Sequence, residues 1–198
     1  MSARRKAIGA GLGLATLLLV SGVIANHTPD ESVRDAPFEV RGALGATLTG
    51  RNLSATVTGA QFVTQPRGEL WGEPWAAESG GVWLVVDAEA ACVESLCQLQ
   101  SAMLDVDGTR WSASERPNSL SLAQTTLAAG IPTAGALLFE VPAALARDAA
   151  ESAAPRPAEL RLGVASDERL DSLLIIELDL SALKQQPSTT ITEPGWAE

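Results

Sequence analysis

The sequence predicts an all-β chain: an immunoglobulin-like antiparallel β-sandwich preceded by one N-terminal transmembrane or signal helix. Three observations carry this. Between Phe38 and Leu183, seven or eight short runs of alternating or continuous apolar residues are separated at close intervals by Gly, Pro and Asp-Gly turn signals. Only one brief stretch, Ala143–Ala150, has helical composition. Ahead of all this, Ala7–Ala25 carries no charge and comes directly after Arg4, Arg5 and Lys6.

The N-terminal segment comes first. Nineteen uncharged residues span about 28 Å as a helix, close to the hydrocarbon thickness of a bilayer. Positive charge before such a segment keeps the N-terminus inside and delivers the downstream chain to the outer side. Its length favours an uncleaved anchor, residues 1–25, over a cleavable signal peptide, whose apolar stretch is shorter; Val23-Ile24-Ala25 supplies a small-residue cleavage site for the alternative, a secreted protein. Residues 26–37, polar and containing Pro29 and Pro37, read as a stalk, and residues 38–183 as the sandwich.

Within the sandwich, Leu53–Val63 alternates apolar and polar residues and reads as a half-buried strand. Gln65–Gly81, with Pro66, Gly68, Gly72, Pro74, Gly80 and Gly81, reads as a loop. Val82–Val86 is a continuous apolar run and the best central strand. Ser101–Val106 and Thr109–Ala113 flank Asp107-Gly108, which predicts a hairpin closed by a type I′ turn. Ala134–Val141 is a strand stopped by Pro142, and Glu159–Ala165 and Leu173–Leu180 are the last two strands. In the second of these, Leu174, Ile176, Leu178 and Leu180 share one face, and Glu177 and Asp179 the other. Residues 184–198 read as a flexible polar tail holding an isolated Trp196.

These motifs together carry a resemblance. The Val82–Val86 strand is followed by the Asp107-Gly108 hairpin with Trp111 close behind. Then come Gly130-Ile131-Pro132, Gly135, Phe139-Glu140-Val141-Pro142 and a terminal aliphatic strand. This resembles the telokin-like, immunoprotective extracellular family of bacterial secreted or membrane-anchored proteins, over roughly Phe38 to Leu183. Trp111 stands where that family often has Tyr. The resemblance implies an extracytoplasmic immunoglobulin-like sandwich without an established catalytic site.

Charge narrows the partners. The whole chain carries −10, and the three cations before the apolar segment leave 11 basic against 24 acidic residues from Asn26 onward, a balance of −13. Such a surface repels phosphate backbones, so no nucleic-acid partner is expected. The expected partners are the membrane through Ala7–Ala25 and an envelope protein or cell-wall glycan.

Catalytic materials are scarce. The one histidine, His27, lies in the stalk, so no Ser/His/Asp or Cys/His arrangement can form within the domain. The chain is read as no enzyme, with no catalytic residues, no cofactor and no metal. A carbohydrate-active enzyme using two carboxylates that meet only in the fold is the remaining catalytic alternative. Asp105-Val-Asp107-Gly108 lacks the further ligands of a calcium loop, and the hairpin explains it.

Two constellations remain. Cys92 and Cys97, the only cysteines, are expected to form a disulfide in an oxidising compartment, closing too small a loop to stabilise the fold greatly. Trp71 and Trp75, in Glu69-Leu-Trp-Gly-Glu-Pro-Trp75, are the candidate partner-binding residues. An aromatic on a rigid loop can stack on a sugar or anchor a protein contact; the competing reading is that one or both fold back to cap an open end of the sandwich.

Overall fold

The computed structural model describes residues 17–23, 36–78, 80–169 and 171–197. They fall into two units, Met1–Ala36 and Pro37–Glu198. In the first, residues 17–23 are helical. The rest of the predicted anchor Ala7–Ala25, and the stalk up to residue 35, lie outside the described residues. Among the described residues no helix is long and apolar enough to cross a membrane.

The second unit is a β-sandwich. One sheet has the order β1-β10-β9-β6-β7 and the other β11-β3-β5-β8-β12. In chain order the strands are β1 (Phe38–Ala43), β2 (Thr47–Thr49), β3 (Ser54–Leu70), β4 (Glu73–Ala76), β5 (Val82–Ala91) and β6 (Ser101–Val106). They continue as β7 (Thr109–Ser112), β8 (Thr133–Val141), β9 (Pro157–Gly163), β10 (Ser172–Asp179), β11 (Lys184–Thr190) and β12 (Gly195–Trp196). Short β2 and β4 attach to β3. The pairings are antiparallel except β1 with β10 and β11 with β3, which are parallel.

The period-2 patterns do what they predict. Leu84, Val86 and Ala88 of β5 and Leu137, Phe139 and Val141 of β8 point inward from one sheet. Leu160 and Leu162 of β9 and Leu174, Ile176 and Leu178 of β10 face them from the other. The helix Ala143–Glu151 adds Leu145, Ala146 and Ala149 to the same core. β5 is central, with β3 on one side and β8 on the other. In β3 the inward positions change from odd (Ala55, Val57) to even (Ala60, Phe62), because a bulge between Val57 and Gly59 adds one residue against β5.

Three parts of the chain depart from the sequence reading. Gln65–Gly81 is largely a hairpin rather than a loop: β3 continues through Pro66 and Gly68 to Leu70, and β4 returns beside it. Pro66 has no amide hydrogen and stands where the β4 ladder ends, and its carbonyl accepts from the amide of Ala77 at 3.0 Å. Residues 184–198 are no flexible tail, since β11 forms a ladder on β3 and β12 closes on β8. A polar strand suits that place because it lies at the sheet's edge, where Lys184 and Pro187 also discourage pairing with a further strand. Lastly, Leu173 and Ile175 are fully buried although they face away from the main core. Ile175 lies in register between Arg41 and Arg161. These arginines belong to a charged ladder in which Arg41 pairs with Glu39 and Glu159, and Arg161 with Glu159 and Glu168. Their aliphatic stems cover apolar surface while the heads stay paired.

The crossing between sheets after β10 is set by one carboxylate. Asp179 accepts hydrogen bonds from the Arg156 amide at 2.9 Å, the Ser181 amide at 3.0 Å and the Ser181 hydroxyl at 2.6 Å. It caps the 3-10 turn Leu180–Ala182 that carries the chain from β10 to β11. The Ser181 hydroxyl, the Arg156 amide and the Ser181 amide hold its pKa below the ordinary carboxylate range. A depressed folded pKa contributes stability above the unfolded value, near 3.8, that is lost as pH falls through the folded value. Thermal melting of Asp179→Asn is expected to show lower stability than the parent at neutral pH, and the gap should narrow as pH falls below about 4.

Candidate functional site

Over Trp83–Val86, β5 is buried on both faces, so the outer face of its sheet needs a cover there. Val63, Trp83, Val85, Ala136 and Leu138 form a second apolar cluster there, closed over by Leu120 and Ile191. Trp83 is wholly buried, with the guanidinium of Arg116 5.5 Å from its ring centroid, a cation–π contact. Trp75 joins this cluster, half-buried on β4. Trp75 packs on the face of a sheet rather than capping an open end.

Trp71 is placed differently. It is 76% exposed at the tip of the β3–β4 hairpin. Leu70 pairs with Glu73, leaving Trp71-Gly72 as a two-residue turn with φ of 55° and 82°. The β6–β7 turn repeats this geometry, with Val106 paired to Thr109 and φ of 52° at Asp107 and 80° at Gly108. Both are type I′ turns, which favour Asn, Asp or Gly at the first position. A Trp in the left-handed region costs about 1 kcal/mol, and here little packing offsets it. The side chain is therefore held where neither backbone preference nor burial accounts for it.

Beside Trp71 lies a groove of about 740 Å³ between the hairpin and the segment just after β11. Arg67, Glu69, Ile191 and Glu193 line it with Trp71. Gly68 makes the close approach possible: a Cβ there would meet the Ile191 carbonyl oxygen at 2.7 Å, and the Ile191 amide donates to the Arg67 carbonyl at 2.7 Å. Two side chains are oriented. Arg67 donates to Gln65 Oε1 from Nε and Nη2 at 3.2 and 2.8 Å, and the Ser119 hydroxyl donates to Glu193 Oε1 at 3.0 Å. The site thus offers one aromatic face, two carboxylates and a guanidinium. The sequence points to Trp71 but not to Arg67, Glu193 or Ile191, because the C-terminal segment that supplies two of them is polar and without apolar periodicity. The Leu70-Trp-Gly-Glu73 spacing is the available signal for a hairpin.

Cys92 and Cys97 form a disulfide with Cα atoms 5.9 Å apart. The enclosed loop is also clamped by Asn52, whose Oδ1 accepts from the amides of Glu94 at 2.8 Å and Ser95 at 3.1 Å. Asn52, the first residue of an Asn-Leu-Ser sequon, thus has a structural task of its own. Asp105 accepts from Arg110 Nε at 2.8 Å and from the Gly108 amide at 3.0 Å, as a hairpin requires. No group of three or more His, Cys, Asp or Glu suited to a metal ion occurs among the described residues.

No protein-family model matches the sequence, and no curated protein sequence matches it. Three solved structures are similar. An uncharacterized β-sandwich protein from Clostridium difficile has 11% identity and a TM-score of 0.47, covering 77% of this chain and all of its own. The yjhA protein of Bacillus subtilis has 14% identity and a TM-score of 0.44, covering 68% and 98%. A candidate lipoprotein of Staphylococcus aureus has 9% identity and a TM-score of 0.40, covering 75% and 97%.

The two tryptophans should separate in a melting experiment. Trp75→Ala is expected to destabilise the domain by about 2–4 kcal/mol, since it uncovers the second cluster. Trp71→Asn should leave the melting temperature unchanged or raise it, because Asn tolerates the left-handed turn position better than Trp. A large fall in melting temperature for Trp71→Asn would place that ring in the fold's packing instead.

The disulfide should be dispensable for folding. Alkylation without reductant should leave Cys92 and Cys97 unlabelled. A Cys92→Ala/Cys97→Ser variant should fold with a loss of about 2 kcal/mol or less, given the short loop and the Asn52 clamp.

Proposed function

We propose that this chain is a non-catalytic extracytoplasmic binding module, held at the cell membrane by Ala7–Ala25. Its partner, an envelope protein or a cell-wall glycan, docks on Trp71. The observation that carries the reading is the exposed Trp71 at a turn position that disfavours it, beside an amphipathic groove. Aromatic side chains of this kind are common energetic anchors of interfaces, and the flanking Arg67, Glu69 and Glu193 supply hydrogen-bonding groups around the ring. Trp75, the second candidate, supports the site from beneath by packing β4 onto the sheet.

We read the sandwich as immunoglobulin-like, of the telokin-like kind. What supports this is that β6, β7, β9 and β10 follow the C, C′, F and G order in one sheet, and β5 and β8 the B and E order in the other. The extracytoplasmic placement is supported by Arg4, Arg5 and Lys6 ahead of the apolar segment, and by a disulfide suited to an oxidising compartment.

Two measurements test this. In-cell crosslinking followed by affinity recovery should capture a partner with the parent chain. Trp71→Ala should weaken that capture by about 2 kcal/mol, roughly thirtyfold, without lowering the melting temperature. Equal recovery by the variant would remove the site. For topology, protease added to intact, wall-stripped cells should digest the domain. Protection equal to that of a cytoplasmic marker would refute the placement.

A further inference from the structure

Exposed large apolar side chains are not scattered over this domain. Among its described residues they are Phe38, Leu44, Trp71, Val93, Leu96, Ile131 and Trp196. Five of these seven (Phe38, Val93, Leu96, Ile131 and Trp196) belong to segments joined by one chain of hydrogen bonds. The Phe38 amide donates to the Asp171 carbonyl at 2.8 Å, and the Arg51 amide to the Ser172 hydroxyl at 2.9 Å. The Val93 amide donates to the Asn52 carbonyl at 3.4 Å, and the Gly130 amide to the Cys92 carbonyl at 2.8 Å. The Ala197 amide donates to the Pro132 carbonyl at 2.9 Å. The register agrees: Phe38 lies beside Ser172 at the start of β10, Ser54 opposite Ala91 at the end of β5, and Thr133 opposite Ala90 and beside Trp196. All five side chains therefore crown one end of the sandwich. Leu96 is 71% exposed and Trp196 81%.

This end has two further properties. It is built to keep its shape, because the disulfide and the Asn52 clamp fix the loop that presents Val93 and Leu96. It is also the end at which the chain enters the fold, through Pro37 and Phe38. The twelve residues from Asn26 to Pro37 can span at most about 40 Å, so an anchored chain keeps this end close to the bilayer at high effective concentration.

We propose that this end is a lipid-facing surface, which rests on the anchor reading of Ala7–Ala25. Leu96, Val93, Ile131 and Phe38 dip into the interfacial region of the outer leaflet, and Trp196 sits at headgroup level, where amphipathic rings concentrate. Charge does not supply the attraction: Glu94, Asp167 and Asp171 lie at this end together with Arg51 and Arg169. Binding to neutral lipid is therefore apolar and insensitive to salt, whereas anionic lipid weakens it by a repulsion that salt relieves. Docked this way, the domain stands with the Trp71 hairpin away from the membrane, since β3 runs from Ser54 at the lipid end to Leu70 beside the turn.

The test uses the full chain reconstituted into phosphatidylcholine vesicles, with and without a lipid carrying a shallow spin-label quencher. The Trp196 contribution is taken as the difference between the parent and Trp196→Phe. The expected result is loss of most of the Trp196 emission to the quencher, abolished by Leu96→Asp/Ile131→Asp. Circular dichroism and melting of that variant should match the parent, because both side chains are exposed. Unquenched Trp196 emission overturns the proposal, as does quenching that Leu96→Asp/Ile131→Asp leaves intact. Shielding of Trp196 that grows with protein density rather than with quencher also overturns it, and identifies a second copy as the occupant. Alkaline extraction of the same vesicles reads the anchor by itself. Resistance to alkali with an unquenched Trp196 refutes lipid docking while leaving the anchor standing; extraction by alkali refutes the anchor.

Discussion

The constraint on which most of this structure depends is that β5 is apolar on both faces over Val82–Val86. One face is satisfied by the opposite sheet, as in any sandwich. The other carries Trp83 and Val85, and a sheet cannot leave such side chains in water without a substantial free-energy cost. The unusual features answer that need. β3 overruns β5 and folds back as a hairpin that brings Trp75 to the cluster. The β7–β8 connection brings Leu120, and the segment after β11 brings Ile191. The groove beside Trp71 lies where two of these covering pieces meet, so it is a by-product of packing that the exposed ring makes usable.

The opposite sheet solves the same problem with other means. Leu173 and Ile175 are buried beneath no second apolar layer. They lie beside a ladder of arginines and glutamates on β1, β9 and the β9–β10 connection. The exposed pairs of Arg41 contribute little to stability individually, whereas Arg161 is buried and its two carboxylate partners compensate its charge. Arg41 and Arg161 flank Ile175 in register, and long side chains in that position can shield apolar surface with their stems.

How much of this is legible in the sequence depends on the range of the interaction. The Asp107-Gly108 turn, β5 as a central strand, the helix before Pro155 and the disulfide are local signals, and each reads correctly. The hairpin at Trp71 is hidden because Pro66, Gly68 and Pro74 are strand breakers in isolation, tolerated here where the β4 ladder ends, at a close approach to Ile191 and on the short strand β4. The C-terminal segment is hidden for a different reason. Lys184–Thr190 has no apolar periodicity, because its place in the fold comes from backbone pairing with β3. Half of the candidate groove comes from that end of the chain, so half of the site is invisible with it.

The two parallel pairings also govern how the fold can be reached. β1 is completed only by β10, and the outer edge of β3 from Gln61 to Arg67 only by β11, so the first strands made wait for the last. Contacts of such wide sequence separation slow folding, because a long loop must close before they repay its entropy. Until residues near 190 are available, β3 has an open edge and Trp83 an open face, both sticky surfaces. An emerging chain of this kind gains from being kept apart from its neighbours until its final strand arrives, and shortening it by even a dozen C-terminal residues would leave that vulnerable state permanent.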